Sequence, residues 1–411
     1  MPKIYIIDVT NRDGVQTARI SLSKLQKTMV NYYLSKMGIF QSEFGFPSLE
    51  NEKNYIEGNL RLSEKGVFGN MILEGWTRAQ ASDVEKALKI SRVKHLNISI
   101  STSLIMTSGK FGGRLTRDDI MRIMTEAVDA AIKGGVQSLG VNAEDASRTD
   151  ERYAEDYLLR FACAAKAHGA TRIRYCDTLG YDHTLSIHES VKRIANAVQL
   201  PVEVHCHNDL GYAVANSIEG AMGALDAGVD AYINTTVNGM GERAGNADLV
   251  SVLLAATKSR GLKDRKVLDE KIDLKWSWKI CNYVADAFRL PIPINQVGVG
   301  ANAFAHESGI HADGMLKDRQ NYELYGYEEI GRGEVEFKET GTIITTGEYG
   351  GVKGMLYVYD KLGIKVEDER RILHLVQAAS AHNQMPMKPD ELAFIAKYPD
   401  EVAKILTVDG L

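Results

Sequence analysis

The chain has 411 residues, 44% hydrophobic and 25% charged, with 49 basic against 54 acidic side chains and a formal net charge of −5. This is the composition of an ordinary globular protein, which excludes disorder, collagen and coiled coil, and the absence of a basic cluster argues against nucleic acid as a partner. Cys163, Cys176, Cys206 and Cys281 are widely spaced with no C-x-x-C, so neither a disulfide framework nor a thiolate zinc site is implied and a reducing compartment fits best. The N-terminus has no signal-peptide pattern and no uncharged apolar run approaches about 18 residues. The expectation is a cytoplasmic protein without a membrane partner.

In chain order, apolar runs rich in β-branched and aromatic residues fall at 4–10, 39–46, 70–77, 95–102, 136–143, 172–178, 202–208 and 229–237. Their mean pitch of about 32 residues is that of one βα unit. Segments with helical signals lie between them: 21–38 opens with a serine cap and ends at Gly38, 116–135 ends in a glycine pair, and 209–228 has helical apolar spacing. Eight such units predict an α/β chain folded as a (β/α)8 TIM barrel. An open doubly wound sheet shares the alternation, but DVTNRDGVQ follows the first strand where a Gly-rich phosphate loop would stand, and GVGANA (298–303) follows no βα unit.

The rhythm fails after residue 257 in a charged stretch that reads as a linker, and VEDERRILHLVQAASA and KPDELAFIAKY read as amphipathic helices. The expected divisions are a barrel over 1–257, a linker and subdomain over 258–335, and a small, mainly helical C-terminal region over 336–411.

A TIM barrel carries its chemistry at the C-terminal strand ends. Polar residues gather there: Arg12 and Asp13, Glu43, Arg78, Glu144 and Asp145, Asp177 and Thr178, His205 and His207, and Asn238. In H-x-H on a strand, period two turns His205 and His207 to one face. With Asp13 they supply three ligands for a catalytic divalent cation, magnesium, manganese or zinc. The plainer alternative is a pair of hydrogen-bonded core histidines without metal. Asn246, in the Gly-rich stretch NGMGERAGNADL, is either near the metal or a helix N-cap. Arg174 shares strand parity with Thr178, so it faces inward and needs a partner, either a structural carboxylate or an anionic substrate.

Together, DVTNRDGVQ, VHCHNDLGYAVAN, NGMGERAGN and GANAFAHESGIHADGMLKD resemble the Claisen-condensing branch of the DRE-TIM metallolyase family. The branch includes 2-isopropylmalate, homocitrate, citramalate and Re-face citrate synthases. The resemblance implies an acyltransferase that joins acetyl-CoA, its co-substrate, to a 2-oxo acid and then hydrolyses the thioester. It makes Asp13, His205 and His207 metal ligands, with Asn246 a fourth ligand or a group behind them, and sets Arg12 and Gln16 against the 2-oxo acid. Glu144 matches the family's catalytic glutamate. His311 and Tyr322 match residues inserted from a neighbouring subunit, which implies a homodimer with shared active sites.

Departures from the family pattern bear on substrate. Gly140 stands where homocitrate synthases carry an arginine for the distal carboxylate, Met106 replaces a histidine while Lys110 is kept, and GEYGGVKG (347–354) replaces a more usual G-K-H-S-G-K. With Arg174 as a relocated carboxylate clamp, oxaloacetate is the expected 2-oxo acid. The rivals are homocitrate, 2-isopropylmalate or citramalate synthesis and, from another class, hydroxyacyl-CoA cleavage.

Overall fold

The computed structural model describes residues 1–149, 156–333 and 344–407. The eight apolar runs form eight parallel strands: β1 (Ile4–Asp8), β2 (Gln41–Gly45), β3 (Ile72–Arg78), β4 (His95–Ser101), β5 (Ser138–Glu144), β6 (Arg172–Asp177), β7 (Val202–Cys206) and β8 (Ala231–Thr235). They pair in sequence order, and β1 also pairs with β8 from Ile4↔Ala231 to Asp8↔Thr235, which closes the barrel. Closure leaves no open edge and directs alternate side chains into the lumen.

Eight helices alternate with the strands or extend their loops: α1 (Lys24–Lys36), α2 (Lys53–Glu64), α3 (Ala81–Ile90), α4 (Leu104–Phe111), α5 (Arg117–Lys133), α6 (Tyr157–His168), α7 (Thr184–Val198) and α8 (Ala213–Asp226). Sequence-local signals start several of them. Ser23 and Gln26 form a reciprocal capping box at α1, and Thr116 and Asp119 do so at α5. Two glycines set the close packing around α8. A Cβ at Gly220 would lie 3.0 Å from Val204 of β7, and one at Gly223 would lie 2.4 Å from the backbone oxygen of His188 on α7.

The barrel's last helix, α9 (Leu249–Lys258), ends where the periodicity fails. The charged linker then crosses the N-terminal face of the barrel, where Ile4 N–H donates to Val267 O at 2.7 Å. It leads to α10 (Ser277–Phe288), which receives the side chain of Asn238 on its Cys281 carbonyl at 2.9 Å. After α11 (Gly309–Lys317) come α12 (Val352–Lys361), α13 (Glu369–Asn383), α14 (Pro389–Lys397) and α15 (Pro399–Leu406). The two expected amphipathic helices are α13 and α14. The division expected at residues 335 and 336 lies outside the described residues.

The terminal helices return to the barrel's first two helices. Tyr33 of α1 donates to Asp390 at 2.8 Å, and Ile405 of α15 covers Gly58 of α2, where a Cβ would lie 2.6 Å from Ile405 Cγ1. Among the described residues no helix is long and apolar enough to cross a membrane.

Gly223→Ala should lower the thermal unfolding midpoint, because its methyl group meets rigid backbone. Overpacking of this kind costs about 1–3 kcal/mol. A calorimetric scan in which the variant matches the parent would remove Gly223 as the determinant of α7–α8 spacing.

Candidate active site

The site grows from the loop after β1. A turn of three residues, Gly14–Gln16, begins directly after Asp13, so Arg12 and Asp13 stay at the strand mouth, buried beside one another. Arg12 donates from Nε to Glu43 of β2 and from Nη1 to Asp13 Oδ1 at 3.0 Å, and its guanidinium carbon lies 5.5 Å from the centre of the Trp76 ring. Across the barrel, His205 ends inward on β7. His207 lies just past the strand, in a bridge to Asn246.

Asp13, His205 and His207 converge, each buried, with ligand atoms within 4.8 Å of one another. Asp13 Oδ2 is 3.8 Å from His205 Nε2 and 3.7 Å from His207 Nε2, and the two Nε2 atoms are 3.2 Å apart. His205 Nδ1 faces Asn234 Oδ1 at 3.0 Å. That acceptor places the ring proton on Nδ1 and leaves the Nε2 lone pair toward Asp13, the arrangement of a metal-ligating histidine. Burial pushes both imidazoles below their ordinary range, and His207 lowers His205 further. Burial would raise the Asp13 carboxyl, but the Arg12 guanidinium above all, with the Asn246 amide, holds it well below the usual carboxylate range. A carboxylate with two neutral imidazoles is the donor set that a divalent cation takes.

Asn246 donates from Nδ2 to Asp13 Oδ2 at 2.6 Å and to Met240 O at 3.0 Å. Its Oδ1 is buried without a hydrogen-bond partner. The amide therefore orients Asp13, and its oxygen is the atom open to a cation. It does not serve as a helix cap, since Asp248 caps α9.

Below this triad the lumen holds charge. Arg174 is fully buried and donates to Glu43 Oε2 at 2.5 Å, and its Nη2 lies 2.5 Å from Glu203 Oε1. Arg172 binds Glu74 and, at 2.9 Å, Glu203 Oε2. Asn234 donates to Glu203 at 2.6 Å, so Glu203 supports the residue that orients His205. Burial alone would raise Glu203, but Arg174 and Arg172 draw it down to about 2. Glu74 is pushed up to about 7 by burial, with Arg172 opposing and Glu203 and Glu43 reinforcing the shift.

Of the two partners the sequence left open for Arg174, the network supplies the structural carboxylate. Glu203 is its register partner on neighbouring β7 and Glu43 of β2 meets it across the lumen, while its Nε and Nη1 are buried without a hydrogen-bond partner. Gly140 also gains a physical account. A Cβ there would lie 2.7 Å from Asn97 Nδ2 and 3.2 Å from Arg172 Nε, so the space that a fifth-strand arginine would need is filled.

On the opposite rim, Glu144 accepts from Ser101 Oγ and from Lys110 Nζ. Thr178 Oγ1 accepts from Asp145 N at 2.9 Å, which ties the β6 loop to the β5 loop. Gln16 is exposed on the rim, its N–H on Asp13 O at 2.9 Å. His311 and Tyr322 are not drawn to the mouth. They are exposed, with ring centres 4.3 Å apart. Three other strand-end residues serve structure: Arg78 pairs with Asp83 at 2.5 Å, Asp177 accepts from Tyr181 N at 2.8 Å, and Asn238 holds α10. The sequence reading missed Glu74, Arg172 and Glu203. Parity counted back from His205 reaches Glu203, but Arg172 lies 31 residues from it and 98 from Glu74, and neither contact has a local signal.

The HMGL-like family model matches residues 3–284 and the homocitrate synthase post-HMGL domain-like model matches residues 299–383. The chain belongs to the HMGL-like family. A citrate (Re)-synthase of Dehalococcoides mccartyi is 53% identical over 416 aligned residues, covering 100% of this chain and 99% of the relative. A 2-isopropylmalate synthase of Caldanaerobacter subterraneus is 36% identical, with 98% and 96% covered, and a homocitrate synthase of Nostoc is 32% identical, with 97% and 98% covered. Within the family the chain is thus an acyltransferase of the Claisen-condensing branch. A crystal structure of an HMG-CoA lyase from Bacillus subtilis superposes with a TM-score of 0.57 at 16% identity, over 71% of this chain and 97% of that one, and shows the shared fold.

Glu203→Gln should destabilise the protein by about 3 kcal/mol, the cost of leaving buried charges uncompensated. Glu74→Gln should be milder and should change the pH dependence. Folded Glu74 keeps its proton to about 7 against an ordinary 4.5. Its contribution is therefore complete below the ordinary value and is lost as pH rises through about 7. Unfolding midpoints across that window should fall less steeply in the glutamine variant, and parallel profiles would contradict the assignment.

Proposed function

We propose that the protein condenses acetyl-CoA with oxaloacetate and hydrolyses the thioester, giving citrate by the Re-face route. The observation that carries this reading is the full-length 53% identity to a citrate (Re)-synthase. It is supported by Gly140, whose filled surroundings disfavour the arginine-clamped 2-oxoglutarate of homocitrate synthesis.

Asp13, His205 and His207 hold a divalent cation in this reading, with Asn246 orienting Asp13. When bound, such a cation would supply Lewis-acid polarisation of a keto group and charge to offset a carboxylate. Arg12, fixed by Glu43, stabilises the alkoxide that develops as the acetyl carbon attacks. Gln16 and Thr178 line the approach of the 2-oxo acid. Glu144 takes the methyl proton of the thioester, a task that requires a carboxylate held at the mouth, as Ser101 and Lys110 hold it. His311 and Tyr322 act in the neighbouring subunit of a homodimer. Support for that comes from their exposed segment, where Ile310 is 77%, Leu316 80% and Leu324 75% solvent-accessible, an unusual cost for a chain without a partner. The span 258–335 is then the arm that completes the partner's site, and 336–411 its helical support. Free cysteines at all four positions suit a reducing cytoplasm.

The metal reading predicts that the purified protein carries about one divalent cation per chain and that His207→Ala loses it together with activity. Equal metal content in the two proteins, measured by elemental analysis, would favour hydrogen-bonded histidines instead.

The substrate reading is checked by thiol release from acetyl-CoA with a panel of 2-oxo acids. Oxaloacetate should exceed 2-oxoisovalerate, pyruvate and 2-oxoglutarate by about 100-fold in kcat/KM, a range reached by sites that bind a substrate's polar group. Faster turnover of any other member would overturn it.

A further inference from the structure

Resting on the oxaloacetate reading, we propose that Arg174 is the specificity-determining residue of the site and that, with Asn142 beside it, it binds the second carboxylate of the 2-oxo acid. A guanidinium has five N–H donors in a fixed fork. Arg174 meets both of its acidic partners, Glu43 and Glu203, through Nη2. Nε and Nη1, with the other three donors, are buried without a hydrogen-bond partner. Buried donors on a charged group are costly to leave unmet, so the folded chain holds a reserve of binding that neither glutamate uses. Asn142 Oδ1 is buried and unpartnered in the same way.

The two side chains belong to one row. Ser99 of β4 is in register with Asn142 of β5, and Asn142 with Arg174 of β6, and the row shares the inward parity of Ser101 and Glu144. The mouth opens down to this level, since Trp76 and Ser99 are partly exposed although both point inward from within their strands. Arg174 is fully buried and closes the row. Asn142, with no hydrogen bond on Oδ1 to break, is the side chain that turns its amide toward a carboxylate entering above Ser99. On β6 the next inward residue toward the mouth is Cys176, a small side chain in register with His205. Arg174 thus lies one inward row, about 7 Å, below His205, and a four-carbon acid held at His205 by its keto end extends its second carboxylate toward it.

Position 140 offers no alternative, because a side chain there meets Asn97 and Arg172. Charge balance favours the same place. Glu74 is pushed up to about 7, so below that pH Arg12, Arg172 and Arg174 share only Glu43 and Glu203 within the lumen, and an incoming carboxylate cancels the surplus. A 2-oxo acid that ends in a methyl group leaves the three donors unmet, which is how a site built for a polar group rejects the analogue lacking it.

Arg174→Lys and Asn142→Ala test this with the intact, metal-loaded protein. The lysine keeps a cation between Glu43 and Glu203 but has only three donors, two of them needed there. KM for oxaloacetate should rise about 30-fold in Arg174→Lys and about fivefold in Asn142→Ala, in line with lost hydrogen bonds to a charged group. The inhibition constant of pyruvate, competing against oxaloacetate, should change less than about twofold in both, because pyruvate lacks the second carboxylate. Equal weakening of the two acids, or an oxaloacetate KM that Asn142→Ala leaves unchanged, would make the row structural and overturn the proposal. Where Arg174→Lys fails to fold, Asn142→Ala decides by the same comparison. If the parent protein fails to release CoA with oxaloacetate, the substrate reading itself fails, an outcome separate from either result on the variants.

Discussion

A closed set of ion pairs occupies the lumen of this barrel, and the positions of the reacting groups depend on it. Arg12, Arg172 and Arg174 meet Glu43, Glu74 and Glu203 with almost no water. Each charge taken alone would cost several kcal/mol to bury, so each arginine is held against at least one carboxyl group. Glu43 joins Arg12 to Arg174, and Glu203 joins both other arginines to Asn234 and so to His205. Mouth and floor are therefore one connected structure.

That connection explains the economy of charge in the molecule. A net charge of −5 on 411 residues offers no field to attract anions over the surface. Attraction has to be local: Arg12 supplies it, and a cation held by the Asp13–His205–His207 triad would add to it. The remaining arginines at the strand ends are tied to carboxylates. Burial keeps the imidazoles neutral and Arg12 keeps Asp13 ionised, so the protonation states that ligate a cation already hold in the folded chain.

Two regions of the chain have opposite physical character. The barrel mouth around Arg12 and Asp13 is buried and cross-linked by hydrogen bonds to Glu43 and Asn246. The segment from α11 to Tyr322 is exposed, with apolar side chains facing solvent and its His311–Tyr322 pair turned on itself. In the proposed homodimer, a site assembled from one rigid half and one donated half excludes water only when both are joined, which suits a reaction that forms a reactive carbanion equivalent before it admits water for hydrolysis.

Much of this was legible in the sequence because it depends on local periodicity. Alternation over five to seven residues defines each strand, serine and threonine caps and glycine stops define several helices, and eight repeats of one unit close in only one common way. H-x-H and Asp13 were legible for the same reason, since strand parity and strand-end position follow from neighbours in the chain. The partners of Arg174, the crowding around Gly140 and the meeting of Lys110 with Glu144 were not. Each is a contact between residues 29 to 131 positions apart, and only the folded barrel decides which strands lie side by side and which face one another across the lumen. Sequence determined which residues point inward; tertiary structure decided what each one meets there.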